Sequence, residues 1–166
     1  MPTHKAVDLH HDGGMLFAAS PSSGHPLSFD DRASNQGGSP VETILTALGA
    51  CSAMDVISIA TKKRQAIEAY EVHVTGSQRD EYPQVFTEID VVHEVTGSNL
   101  SVAAIRRAIE LSATKYCPVN AMVSAGATVV HHRYVVHSTG TDPIEASGEV
   151  VATGPYARPD ILADQT

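Results

Sequence analysis

Residues 39–65 read SPVETILTALGACSAMDVISIATKKRQ, and they decide the fold. Ser39 followed three residues later by Glu42 is a capping-box pattern, and Pro40 takes the first helical position, where a missing N–H costs nothing. A helix is therefore predicted to start here. No charged side chain lies between Glu42 and Asp55, and Ile44, Leu45, Leu48, Met54, Val56 and Ile57 cover all sides of the cylinder. A helix apolar all round is expected to be buried all round. It is too short and too rich in Thr, Ser and Gly for a membrane span, and Lys62, Lys63 and Arg64 close it near the negative end of its dipole. The prediction is a core helix, with the remaining elements arranged to cover it.

The chain has 166 residues, 42% of them hydrophobic, which suits one globular domain with a sizeable core. Its formal net charge of −8 argues against nucleic acid or an anionic membrane as partner. The N-terminal MPTHKAVDLHHDGG has no apolar run behind a basic start, so the expected location is cytoplasmic. In that reducing compartment Cys51 and Cys117, the two cysteines, are expected as free thiols, either inert or reactive.

Outward from the helix, alternation predicts strands at 5–11, 15–19 and 25–29, the first two joined by Asp12-Gly13-Gly14. On the other side, 70–76 and 85–95 alternate with period two and predict a long antiparallel pair. Ser101 is placed to cap an amphipathic helix running to Tyr116, Cys117-Pro118 breaks it, a short helix follows over 119–125, and 127–136 reads as a strand. The domain is expected to span 1–136, with 137–166 a loosely ordered extension in which 149–152 can add an edge strand. Strands, buried helix, strands, helix and strand make an α+β pattern. One sheet and one amphipathic helix do not enclose so apolar a helix, which predicts a homodimer.

Free cysteine often behaves as a small buried hydrophobe, and on composition alone that reading of Cys51 on the core helix is favoured over a reactive one. Cys117 stands at the N-cap of the short helix, where unpaired N–H groups favour a thiolate. Glu42 and Cys51 are nine residues apart, about half a turn round the helix surface, so any cooperation between them crosses two chains. His10-His11 and His131-His132 are adjacent on strands and point to opposite faces, and no His or Cys spacing matches a zinc motif. No metal site is expected. A P-loop, GxGxxG and GxSxG are absent from the sequence, and no cofactor is expected.

Four blocks in order carry a resemblance: Gly38-Ser39-Pro40-Val41-Glu42 leading to Ala47-Leu48-Gly49-Ala50-Cys51-Ser52-Ala53-Met54-Asp55-Val56; Pro83-Gln84-Val85-Phe86-Thr87-Glu88-Ile89; Arg107-Ala108-Ile109-Glu110-Leu111-Ser112; and Lys115-Tyr116-Cys117-Pro118-Val119. They resemble the OsmC/Ohr family, over about Leu9 to Val136. The resemblance implies an intertwined homodimer in which antiparallel sheets wrap two long central helices. It also implies a cysteine-dependent peroxidase for organic hydroperoxides, served by a dithiol reductant, in oxidative stress defence. Cys51 would form a sulfenic acid, Cys117 would resolve it as a disulfide, and Glu42 would be the partner chain's carboxylate. The family's peroxidases carry an early arginine paired with that glutamate; Arg32 is the only early arginine here and the candidate for its place. The Asp55-Val56 and Lys115-Tyr116-Cys117-Pro118 versions of the motifs resemble a less characterised OsmC-like branch. The alternatives are an apolar-ligand-binding protein and a redox sensor of the same fold.

Overall fold

The computed structural model describes residues 4–155. It contains two compact units that divide at Ile44/Leu45. In the N-terminal unit, β1 (Val7–Gly13), β2 (Leu16–Pro21) and β3 (Leu27–Phe29) form an antiparallel sheet in that order. The β1–β2 turn needs its glycines, since Gly13 and Gly14 have φ of 105° and 57°. In the loop after β3, Asp30 accepts from the backbone N–H groups of Asp31 and Gln36 and from the Ser34 hydroxyl. These hydrogen bonds hold its carboxyl below the ordinary carboxylate range.

Helix α1 (Pro40–Lys62) opens with Pro40 and Glu42 in its first turn and ends with Lys62 in its last. Its C-terminus is a Schellman turn: Arg64 adopts φ of 57°, its N–H bonds to the carbonyl of Thr61, and the N–H of Gln65 reaches the carbonyl of Ala60. The chain then turns into β4 (Ala66–Gln78) and β5 (Phe86–Ser98), the long antiparallel pair expected from the alternation. Ser101 caps α2 (Val102–Leu111) by accepting from the N–H of Ala104 at 3.2 Å. The single helix expected to Tyr116 does not continue. From Ser112 to Tyr116 it widens into a π-helical turn closed by the N–H of Cys117 to the carbonyl of Ser112, 2.9 Å. Pro118 then opens α3 (Pro118–Val123), and β6 (Val129–Thr139) and β7 (Ile144–Thr153) complete the unit. Residues 156–166 of the expected C-terminal extension lie outside the described residues.

The second sheet runs β4-β5-β6-β7 and is mixed. The expectation of antiparallel sheets holds for two of its pairings, but β5 and β6 are parallel, because the helical segment between them returns the chain to the end where β5 began. One face of this sheet is charged, with Arg133 bridging Asp90 and Glu149. The other face carries Ile89, Val91, Val95, Val130 and Val136, all fully buried. Two apolar clusters fill the space above it. One joins α1 at Val56 and Ala60 to α2 at Ile105, Ala108 and Ile109; the other gathers Leu48, Phe86, Ile89, Val91, Val130 and Cys117.

The expectation that α1 is buried on every side is met on one side only within a single chain. Leu48, Gly49, Ser52, Val56 and Ala60 are buried, whereas Met54 is 71% and Ile57 38% exposed. The reason is geometric: the β4–β7 sheet presents one face to the helix, and Met54 and Ile57 lie on the side turned away from that face.

Candidate functional site

Cys51 and Asp55 lie four residues apart on α1, and so on adjacent turns of one helix face. Cys117 arrives from the other side of the sequence, brought in by the π-helical turn and held at the N-cap of α3. The two sulfurs and an Asp55 carboxylate oxygen all lie within 4.8 Å of one another. Both cysteines are free; Cys51 is half-buried and Cys117 buried. Of the four residues singled out from the sequence, this site unites Cys51 and Cys117, while Glu42 and Arg32 belong to the N-terminal unit. There Arg32 lines an apolar cavity of about 660 Å³ together with Leu9, Met15, Phe17 and Phe29.

The N-cap expectation for Cys117 needs a correction. Its sulfur does accept the N–H of Asn120 at 3.3 Å, but burial and its hydrogen bond to Cys51 push the thiol up to about 12. Desolvation outweighs the helix-end N–H groups because α3 is only six residues long and the sulfur sits inside an apolar cluster. Cys117 is therefore a neutral thiol at ordinary pH.

Behind the cysteines runs a buried polar chain that sequence reasoning missed. The ring of His132 reaches the Oδ1 of Asn120 at 3.0 Å through Nε2, and an amide oxygen only accepts, so Nε2 carries the proton and Nδ1 is bare. His93 Nε2 stands 3.5 Å from that Nδ1 and 3.4 Å from the Ser52 hydroxyl, so it is the donor. His93 Nδ1 is then left to accept from the Tyr70 hydroxyl at 2.7 Å. A branch continues from Ser52 to Ser112 at 3.2 Å, and Ser112 donates to Asp55 Oδ2 at 3.0 Å. Asn120 is anchored in turn, donating to the Ala113 carbonyl at 2.8 Å and to Thr153 at 3.1 Å.

Every donor in this network has an acceptor with both imidazoles neutral, and among the described residues neither ring is paired with a carboxylate that would hold an added proton. Burial accordingly lowers His93 to about 3 and His132 to about 4, each also opposed by a neighbouring histidine, and burial raises Tyr70 above the ordinary phenol range. The sequence held a signal for both rings: they occupy apolar-phase positions of their strands, after Ile89 and Val91 and after Val130. The reading that adjacent strand histidines face opposite ways applies here, with His132 buried and His131 paired to Glu88 and Glu149 on the charged face.

The family model described as OsmC-like protein matches residues 33–132, a span that includes both cysteines. Protein YhfA of Escherichia coli K12 is 41% identical over 123 residues, covering 74% of this chain and 92% of its own. Among solved structures, a hypothetical protein from Aquifex aeolicus is 26% identical with a TM-score of 0.74, over 84% of this chain and all of its own. An organic hydroperoxide resistance protein OsmC from Legionella pneumophila shares the fold at 16% identity and a TM-score of 0.59, over 81% of this chain and 96% of its own. The chain, with its α+β fold and paired cysteines, belongs to the OsmC-like protein family.

Proposed function

We propose that the protein reduces organic hydroperoxides through Cys51 and Cys117 and works as a homodimer. The observation that carries this reading is the closeness of the two sulfurs and the Asp55 carboxylate, all within 4.8 Å. Cys51, half-buried, is the sulfur a substrate can meet. As a thiolate it attacks the distal peroxide oxygen: an S–O bond forms, the O–O bond breaks, the sulfur loses two electrons, and the departing alkoxide takes up a proton to leave as an alcohol. Cys117 then attacks the sulfenic sulfur, forming the S–S bond as the S–O bond breaks. Because Cys117 is neutral, its proton must leave as it attacks. Asp55 is the base within reach, and it returns that proton to the departing hydroxide, which leaves as water. A dithiol reductant restores both thiols.

The organic hydroperoxide resistance protein from Legionella supports the substrate class through shared fold alone. Glu42 enters the proposal from a second copy, because nine residues from Cys51 it lies on the opposite side of the helix. Arg32 is its proposed charge partner. The second copy also covers the exposed apolar side chains of α1.

The test is consumption of an alkyl hydroperoxide with a dithiol reductant. Cys51→Ser is expected to abolish turnover, and Cys117→Ser to allow one turnover that ends in a trappable sulfenic acid. Oxidised wild type should contain a Cys51–Cys117 disulfide by mass spectrometry. If both thiols survive one equivalent of peroxide, the protein is not a peroxidase.

A further inference from the structure

We propose that Cys51, Asp55 and Cys117 also form a binding site for one thiophilic divalent cation of the zinc class, held by two thiolates and one carboxylate oxygen, with the fourth position open. The sequence spacing predicts no metal site, because ligands at 51, 55 and 117 match no zinc motif. Tertiary structure assembles them all the same. Two donors come from adjacent turns of one helix, an arrangement that puts both side chains on one face, and the third comes from a helix cap. Zinc takes sulfur at about 2.3 Å and carboxylate oxygen at about 2.0–2.2 Å, so tetrahedral ligands sit about 3.5–3.8 Å apart. The three donor atoms here already lie within 4.8 Å, and side-chain rotation of about 1 Å closes the difference.

Two of the three donors, Asp55 and Cys117, are also oriented from outside the triad, which is the usual mark of a built site. Ser112 donates to Asp55 Oδ2 at 3.0 Å, steadying the carboxylate. The N–H of Asn120 points at the Cys117 sulfur at 3.3 Å, the kind of bond that supports charge on a metal-bound thiolate. Ser112 serves both ligands, since its carbonyl also receives the N–H of Cys117. Cys51 and Asp55 are only half-buried, which leaves a path for the ion. Two sulfurs against one oxygen select a soft or borderline ion over magnesium or calcium. Cation binding and disulfide formation then exclude each other, since both use the same sulfurs.

The inference does not depend on peroxide reduction and is measured apart from it. Reduced full-length protein is titrated with cobalt(II), followed by zinc competition against a chromophoric chelator. Expected are one equivalent per chain, an intense thiolate-to-cobalt band, and zinc affinity at least tenfold weaker in Asp55→Asn and about tenfold weaker in Ser112→Ala, with folding checked by circular dichroism. Cys51→Ser should lose the stoichiometric site. Unchanged affinity in Asp55→Asn would reduce the site to a chelating dithiol, and unchanged stoichiometry after alkylation of both cysteines would move it elsewhere; either result overturns the proposal. Peroxide consumption assayed with a chelator present reads the peroxidase reaction alone, so failure of one reading leaves the other standing.

Discussion

At the scale of single residues, the cost of burying imidazole decides how the protein responds to pH. His93 and His132 are fully buried and neutral, at about 3 and about 4, so the folded state resists a proton that the unfolded chain accepts near 6.5. A base whose folded pKa is lowered contributes stability above its unfolded pKa and loses it as pH falls toward the folded value. Urea unfolding is therefore expected to weaken from about pH 6.5 down to 4.5, by up to several kcal/mol for the pair, before ordinary carboxylates titrate. A flat profile in that window would mean the rings are not held neutral. Asn120 is the other hinge of the chain, since its amide satisfies His132, Ala113 and Thr153 together. Asn120→Ala leaves buried donors and acceptors unpaired and is expected to cost about 2–4 kcal/mol in the same assay. A loss below 1 kcal/mol would show that the network is not fixed by this side chain.

Among the elements, the seat of α1 on β4 is set by a missing side chain. A Cβ on Gly49 would come 2.8 Å from Val74 Cγ2, closer than real carbon atoms approach, and Val72 lies just beyond. Gly49→Ala should gain helix propensity of up to about 1 kcal/mol, yet lose about 1–3 kcal/mol to overpacking. The net expectation is a lower Tm by calorimetry, and a raised Tm would place the helix farther from the strand. The π-helical turn after α2 has a comparable positional role. By admitting one extra residue before Pro118, it rotates Cys117 out of the amphipathic pattern of α2 and into the cluster around Leu48, next to Cys51. A regular α-helix continued to Tyr116 would deliver Cys117 about 100° away per residue of slippage.

For the whole molecule, the exposed apolar surface asks for a second copy. Met54 and Ile57 on α1, Val7 and Leu9 on the N-terminal sheet, and Met15 in its β1–β2 turn are at least 38% exposed. Sedimentation is expected to give a dimer, and the double substitution Met54→Glu with Ile57→Glu to yield a monomer or an aggregate. A wild-type monomer at micromolar concentration would refute the dimer. The sequence by itself determined the α+β class, the helix within 39–65 with its proline start and basic end, the strand pair on either side of the loop that holds Pro83, and the family, because these rest on local rules: capping, period and motif order. It showed which side chains are apolar without showing that one chain covers only one side of α1. Tertiary structure alone decided the parallel β5–β6 pairing, the neutral Cys117, the approach of Asp55 to both sulfurs and the chain of hydrogen bonds from Tyr70 to Asp55. Each of these depends on partners distant in sequence, such as Tyr70 with His93 or Cys117 with Asp55, or on the desolvation they impose together, and no local pattern of residues encodes how much water a distant neighbour removes.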